Sequence, residues 1–137
     1  MSKPARRSPV GALLTAVAVT LTLTTAYVHL TLGSILFTLN GAGYLGFAVL
    51  LIIGAAAPHP VIARFAWLPR LGVAGYAAVT IISYLIVGPY FALGWIAKGV
   101  EIALIGVVAA DLIGAYGGGR DVVRAAADSL QTERRIP

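Results

Sequence analysis

Lys98, Glu101 and Asp111 fall inside one long apolar stretch, residues 94–116, GWIAKGVEIALIGVVAADLIGAY. The stretch is long enough to cross a bilayer, yet an ionisable group near the centre of a membrane helix costs about 2.5–3.5 kcal/mol on insertion scales. Such groups are expected to turn toward other helices, water or a headgroup layer. Lys98 and Glu101 are one helical turn apart, so the ammonium can hold the carboxylate ionised. His29 is the residue type suited to exchange a proton with that carboxylate near neutrality. Asn40, Tyr44 and Tyr84 add hydrogen-bonding groups. A set of this composition suits a quinone headgroup, a single metal or haem ligand at His29, or a proton relay. The plainer reading is structural, with Lys98–Glu101 a local ion pair, Asn40 an interhelical hydrogen bond and His29 an interface residue. Asp111 stands apart near the other end of the stretch, where Arg70 or Arg120 can reach it as a structural ion pair.

The elements that must position these residues are membrane helices. Of 137 residues, 59% are hydrophobic and only 11% charged, against roughly 25% charged in soluble domains. Mean hydropathy is +0.91. No Asp, Glu, Lys or Arg occurs from Ser8 to Ala63, a run that a soluble domain could not cover with polar surface. The zero cysteine count excludes disulfides, thiol–disulfide exchange, Cys-ligated zinc and iron–sulfur clusters. The net charge of +5 implies topology signals and contact with anionic lipid rather than nucleic acid.

Four spans are expected, at about 10–31, 35–57, 71–87 and 94–116. The first follows a short basic leader. A secretory signal peptide is the rival reading, because Thr24-Thr25-Ala26 resembles a small-residue cleavage site, but another apolar span follows directly. Thr31-Leu32-Gly33-Ser34 is the expected turn between the first two spans. Pro58-His59-Pro60 ends the second. Residues 58–70 then form a loop whose Phe65 and Trp67 suit an interfacial belt. Gly88-Pro89 ends the third span, with Tyr90, Phe91 and Trp95 as a second belt. Gly117-Gly118-Gly119 ends the fourth and separates the membrane domain, 1–119, from a tail, 120–137. In that tail Val122, Val123, Ala126, Ala127 and Leu130 share a helical face, as in a helix lying on a membrane surface or docking a partner.

With the N-terminus inside the cell, Lys3, Arg6, Arg7, Arg64, Arg70, Arg120, Arg124, Arg134 and Arg135 are all cytoplasmic, leaving only Lys98 toward the outside. This charge bias predicts an all-α, four-helix transmembrane bundle in the cytoplasmic membrane with both termini inside and short loops. At 1.5 Å per residue from the outer turns, His29 lies ~3–5 Å deep, Tyr84 ~5–7 Å, Asn40 ~8–10 Å and Glu101 ~9–11 Å. Tyr27 and Tyr44 lie deeper and Lys98 nearer the surface. Every span thus contributes to one outer-leaflet polar group.

Several apparent motifs carry no weight. Gly41-Ala42-Gly43-Tyr44-Leu45-Gly46 spells a dinucleotide fingerprint but sits in an apolar span with no acid following it. Ala42 and Gly46 are better read as small residues that let two helices approach. His29 and His59 fall on opposite sides of the membrane, so one chain cannot ligate haem with both; a dimer sharing haem between two His29 residues is the remaining arrangement. Small multidrug exporters rely on a glutamate in their first helix, and the first span here has no acid.

Val28-His29-Leu30-Thr31-Leu32-Gly33 and Leu39-Asn40-Gly41-Ala42-Gly43-Tyr44-Leu45-Gly46, with Lys98-Gly99-Val100-Glu101 opening the last span, resemble an uncharacterised family of four-span integral membrane proteins of halophilic archaea and bacteria. The resemblance covers about residues 10–115 and implies the four-span fold without an activity. Short loops leave little chain outside the bilayer for a solvent-facing active site. The leading expectation is therefore a non-enzymatic accessory or scaffold protein within a homo-oligomer or larger membrane complex. A binding protein with an outer-leaflet pocket for a quinone, haem or lipid headgroup comes next, and a dimeric proton-coupled transporter third.

Overall fold

A computed structural model describes residues 8–57 and 59–131; Lys3, Arg6, Arg7, Pro58, Arg134 and Arg135 lie outside the described residues. All regular structure among the described residues is helical: α1 (Pro9–Thr31), α2 (Ile35–Ala56), α3 (Pro60–Arg64), α4 (Trp67–Val87), α5 (Ala92–Tyr116) and α6 (Gly119–Gln131). Helices α1, α2 and α4 are long and apolar enough to cross a membrane. Helix α5, with 25 residues, buries Lys98, Glu101 and Asp111. It packs against both α1 and α4, and α1 in turn packs on α2.

The distribution of side chains is the reverse of a soluble bundle. Ile35, Leu36, Val79, Ile86, Val87 and Ile102 are well exposed, while Thr15, Thr22, Thr25, His29, Arg70, Lys98, Glu101 and Asp111 are buried. Threonines tolerate this because their hydroxyls bond back to the helix. Those of Thr20, Thr22 and Thr24 donate to the carbonyls four residues earlier, of Ala16, Ala18 and Thr20, so no hydroxyl is left unpaired in an apolar setting.

The turns are built from short-range chemistry. Ser34 caps α2, its Oγ accepting from Phe37 N at 3.4 Å, and Gly33 supplies the left-handed backbone (φ 74°) that closes α1 into α2. Ser8 caps α1 by accepting from Gly11 N at 3.1 Å. At the turn between α4 and α5 the Tyr84 hydroxyl donates to Phe91 O and accepts from Phe91 N. Trp95 stacks on Tyr90 and meets Tyr84 edge-on, with centroids 5.4 Å apart in the latter pair.

Several expectations need correction. Helix α4 starts at Trp67, earlier than the span expected from 71, because Pro69 falls in its first turn, where the missing N–H would have no intrahelical acceptor. The loop before it contains the short helix α3, with Pro60 at its first position. Ala42 and Gly46 are exposed on α2, so any close approach there is to another chain; within this one α2 approaches α1 at Gly41, beneath Leu30 and the Ala26 carbonyl. The apolar face expected of the tail is split. Val122, Ala126 and Ser129 turn inward, with Ser129 Oγ accepting from Trp67 Nε1 at 3.3 Å, whereas Val123, Ala127 and Leu130 remain exposed. Gly119 belongs to α6 itself, and that helix is packed on α4 and α5.

A Cβ at Gly41 would stand 2.7 Å from Leu30 Cγ and 3.0 Å from the Ala26 carbonyl oxygen. The backbone atom cannot move aside without shifting α1. Gly41→Val should therefore lower stability by about 1–3 kcal/mol. Gly46→Ala, with nothing within 4 Å, should be neutral or stabilising by up to about 1 kcal/mol. Thermal unfolding of the two variants in detergent measures the contrast.

Candidate functional site: two buried ion-pair layers and an outer cavity

Helices α1 and α5 meet along a polar seam. Thr25 Oγ1 donates to Glu101 Oε1 at 3.2 Å, and Thr15 Oγ1 donates to Asp111 Oδ2 at 3.1 Å. The partners are ten residues apart on each helix, so two polar layers lie ~15 Å from one another along the bundle. Between them the packing is apolar, with Ala18, Leu104 and Val108 all at 2% exposure or less, and Thr22 bonded to its own helix.

In the layer nearer the α1–α2 turn, termed the outer layer, Lys98 Nζ donates to Glu101 Oε2 at 2.5 Å, and His29 Nε2 lies 3.7 Å from Glu101 Oε1. Glu101 is fully buried and His29 and Lys98 nearly so. His29 Nδ1 lies 2.8 Å from the Thr25 carbonyl. A carbonyl oxygen only accepts, so Nδ1 carries the hydrogen and Nε2 is the face presented to Glu101. Lys98 also sits over the Tyr84 ring, 5.6 Å from its centroid, a position in which the ring quadrupole favours the cation.

The inner layer is an Arg70–Asp111–Thr15 cluster. Arg70 Nε donates to Asp111 Oδ2 at 2.7 Å, Nη1 to the Ala66 carbonyl at 2.5 Å and Nη2 to Thr15 Oγ1 at 3.4 Å. Arg70 is only 5% exposed. It was expected in a cytoplasmic loop, and the early start of α4 instead draws it into the bundle, so Asp111 is met by a buried guanidinium.

A cavity of about 560 Å³ opens beside the outer layer. His29, Asn40, Ser83, Tyr84 and Lys98 line it together with apolar side chains of α2, α4 and α5. Its volume falls in the range typical of small-molecule pockets, and so does its makeup of apolar walls with a few polar groups. Aromatic rings frame it: Phe37 lies 6.1 Å from His29 and 6.5 Å from Phe91, and Tyr84 lies 6.4 Å from Phe91, centroid to centroid.

The structure thus brings His29, Lys98 and Glu101 into one cluster, with Tyr84 meeting it through its ring face. The Tyr84 hydroxyl is used in the turn to α5 and takes no part in the ion pairing. Asn40 lines the cavity wall, and its backbone carbonyl accepts from Tyr76. Tyr44 is fully buried beneath His29, at a centroid distance of 5.6 Å, with its hydroxyl on Thr80 Oγ1 at 2.9 Å. Tyr27, expected to lie near the polar set, is 70% exposed on the outside of the bundle. Sequence reasoning missed Thr15, Thr25, Thr80 and Phe37. The signal for the first two was present: Thr15, Thr22, Thr25 and His29 recur at helical spacing on one face of α1.

Among the described residues no three His, Asp or Glu side chains gather to hold a metal ion. His29 Nε2 is directed at Glu101, so coordinating haem would require the ring to leave that contact. Comparison with protein-family models, characterised proteins and solved structures finds no match for this chain.

Removing one partner of a buried ion pair strands the other, at a cost of about 3–5 kcal/mol, whereas replacing both by apolar groups is often neutral. Arg70→Met should therefore unfold the protein at markedly lower temperature, and Arg70→Met combined with Asp111→Leu should recover most of the loss. Thermal melts of the single and double variants in detergent give the comparison.

Proposed function

We propose that the chain is an integral membrane protein that crosses the cytoplasmic membrane four times with both termini inside. In this reading α5 is the fourth span. Two observations support it: the charges of α5 are neutralised within the bundle, and Arg64, Arg120 and Arg124 cluster at the end opposite Lys98. The chain contains no cysteine, so single cysteines can be introduced freely. On intact cells a membrane-impermeant maleimide should label Ser34→Cys and Pro89→Cys, and should reach His59→Cys and Asp128→Cys only after permeabilisation. Labelling of His59→Cys from outside would overturn the orientation.

Within that frame the function best supported is binding of an amphiphile by its head, in the outer leaflet. The observation that carries this reading is the 560 Å³ cavity with His29 and Lys98 in its wall. A purely structural ion pair has no need of a cavity of ligand size beside it. The apolar layer of Ala18, Leu104 and Val108 argues for binding over proton-coupled transport, since it separates the two ionisable layers with no side-chain relay. Mild detergent extraction followed by mass spectrometry should recover one class of amphiphile at near-stoichiometric amounts. An empty protein that nonetheless melts cooperatively would defeat the binding reading.

An accessory role in a larger assembly is the second reading, favoured by the outward-facing Ala42 and Gly46 on α2. Small residues four apart suit close helix contacts between chains. Under that reading Gly46→Leu should disrupt co-purifying complexes while leaving the melting temperature of the isolated chain in place.

A further inference from the structure

The cavity has a direction. Helix α2 meets α4 at the level of Tyr44–Thr80 and Tyr76–Asn40, where the Tyr76 hydroxyl donates to the Asn40 carbonyl at 3.3 Å. From there toward the turn capped by Ser34, Leu36 of α2 and Val79, Ser83 and Val87 of α4 line the cavity while remaining exposed on the outside of the bundle. The opening between α2 and α4 therefore gives onto the lipid-facing surface. Thr80 lines its lower end, and its inner wall carries Lys98 and His29.

The inner wall is close to charge-neutral. Lys98 is matched by Glu101 within hydrogen-bond distance, so an anionic head would find no uncompensated cation and would face the Glu101 carboxylate just behind the ammonium. A neutral head meets no such penalty. Lys98 has two further N–H donors beyond the one given to Glu101, and the Asn40 amide and Ser83 hydroxyl in the wall are groups that both donate and accept. The wall can thus donate to a carbonyl and accept from a hydroxyl. Phe37, Tyr84, Phe91 and the His29 ring surround the space with aromatic faces and edges, which suit a flat ring over a branched ester head.

We infer that the outer cavity takes a quinone-class ligand, a neutral planar ring bearing carbonyl or hydroxyl oxygens, admitted sideways from the bilayer between α2 and α4 with its hydrocarbon tail left in the opening. This rests on the amphiphile-binding reading above and specifies the ligand within it.

The probe is a benzoquinone with a decyl tail, titrated against the full chain in detergent. Trp67→Phe leaves Trp95, beside Tyr84, as the sole tryptophan reporter. Saturable quenching of Trp95 is expected. It should weaken by about tenfold or more in Lys98→Met with Glu101→Gln, a double change that removes the charged donor without stranding a carboxylate. Ser83→Phe, at an exposed position in the mouth, should weaken binding by a similar factor with the ion cluster untouched, and serves if the double variant fails to fold. Quenching that is linear in quinone and equal in all variants reports partition into the micelle and overturns the proposal. If phosphatidylglycerol co-purifies or stabilises the chain and the quinone does not compete, the ligand class falls and amphiphile binding stands. If neither molecule binds saturably and nothing co-purifies, both readings fall.

Discussion

A carboxylate withdrawn from water has to be met by a cation and by hydrogen-bond donors, and the penalty for failing is several kcal/mol per ion. Helix α5 carries two such carboxylates on its buried face, and the positions of its neighbours follow from satisfying them. Glu101 receives Lys98 from its own helix and Thr25 from α1; Asp111 receives Arg70 from α4 and Thr15 from α1. Sliding α1 by one turn against α5 would break both threonine contacts together. The ion pairs thereby act as register pins in a bundle whose remaining contacts, among Ala, Val and Leu, would tolerate several alignments.

Much of this was legible before any coordinates. The long apolar runs, the turn at Gly33-Ser34 and the stop at Gly88-Pro89 are local signals, and local signals place helices well. The Lys98–Glu101 spacing marked one ion pair for the same reason. What stayed hidden is what depends on three-dimensional closure. That Pro69 lies in a first turn is visible only once the course of α4 is known. Arg70 reads as a loop residue until α4 is extended back to Trp67. Tyr27 and His29 are neighbours in sequence, and only the packing of α1 on α5 decides that His29 faces in and Tyr27 out. The Ala42–Gly46 spacing likewise says that helices can approach, but not on which face of α2.

The two halves of the bundle are built differently. Around Asp111 the Arg70 guanidinium is held by three acceptors, and α6 closes over that end through Trp67 and Ser129. Around Glu101 the polar atoms are equally well paired, but α2 and α4 part above Tyr44 and Tyr76 and leave aromatic-walled space. Order at one end and room at the other is the arrangement a preorganised site would need, with a rigid base to hold it open against collapse.

The pairing of charges within each layer has an electrical consequence. A resting membrane imposes a field that does work of ~2.3 kcal/mol per elementary charge carried across 100 mV. Lys98 lies against Glu101 and Arg70 against Asp111, so a field across the membrane would pull the two members of each pair in opposite directions and find almost no net charge to displace. A pair held in this way is only a short dipole, on which a transmembrane potential would do little net work.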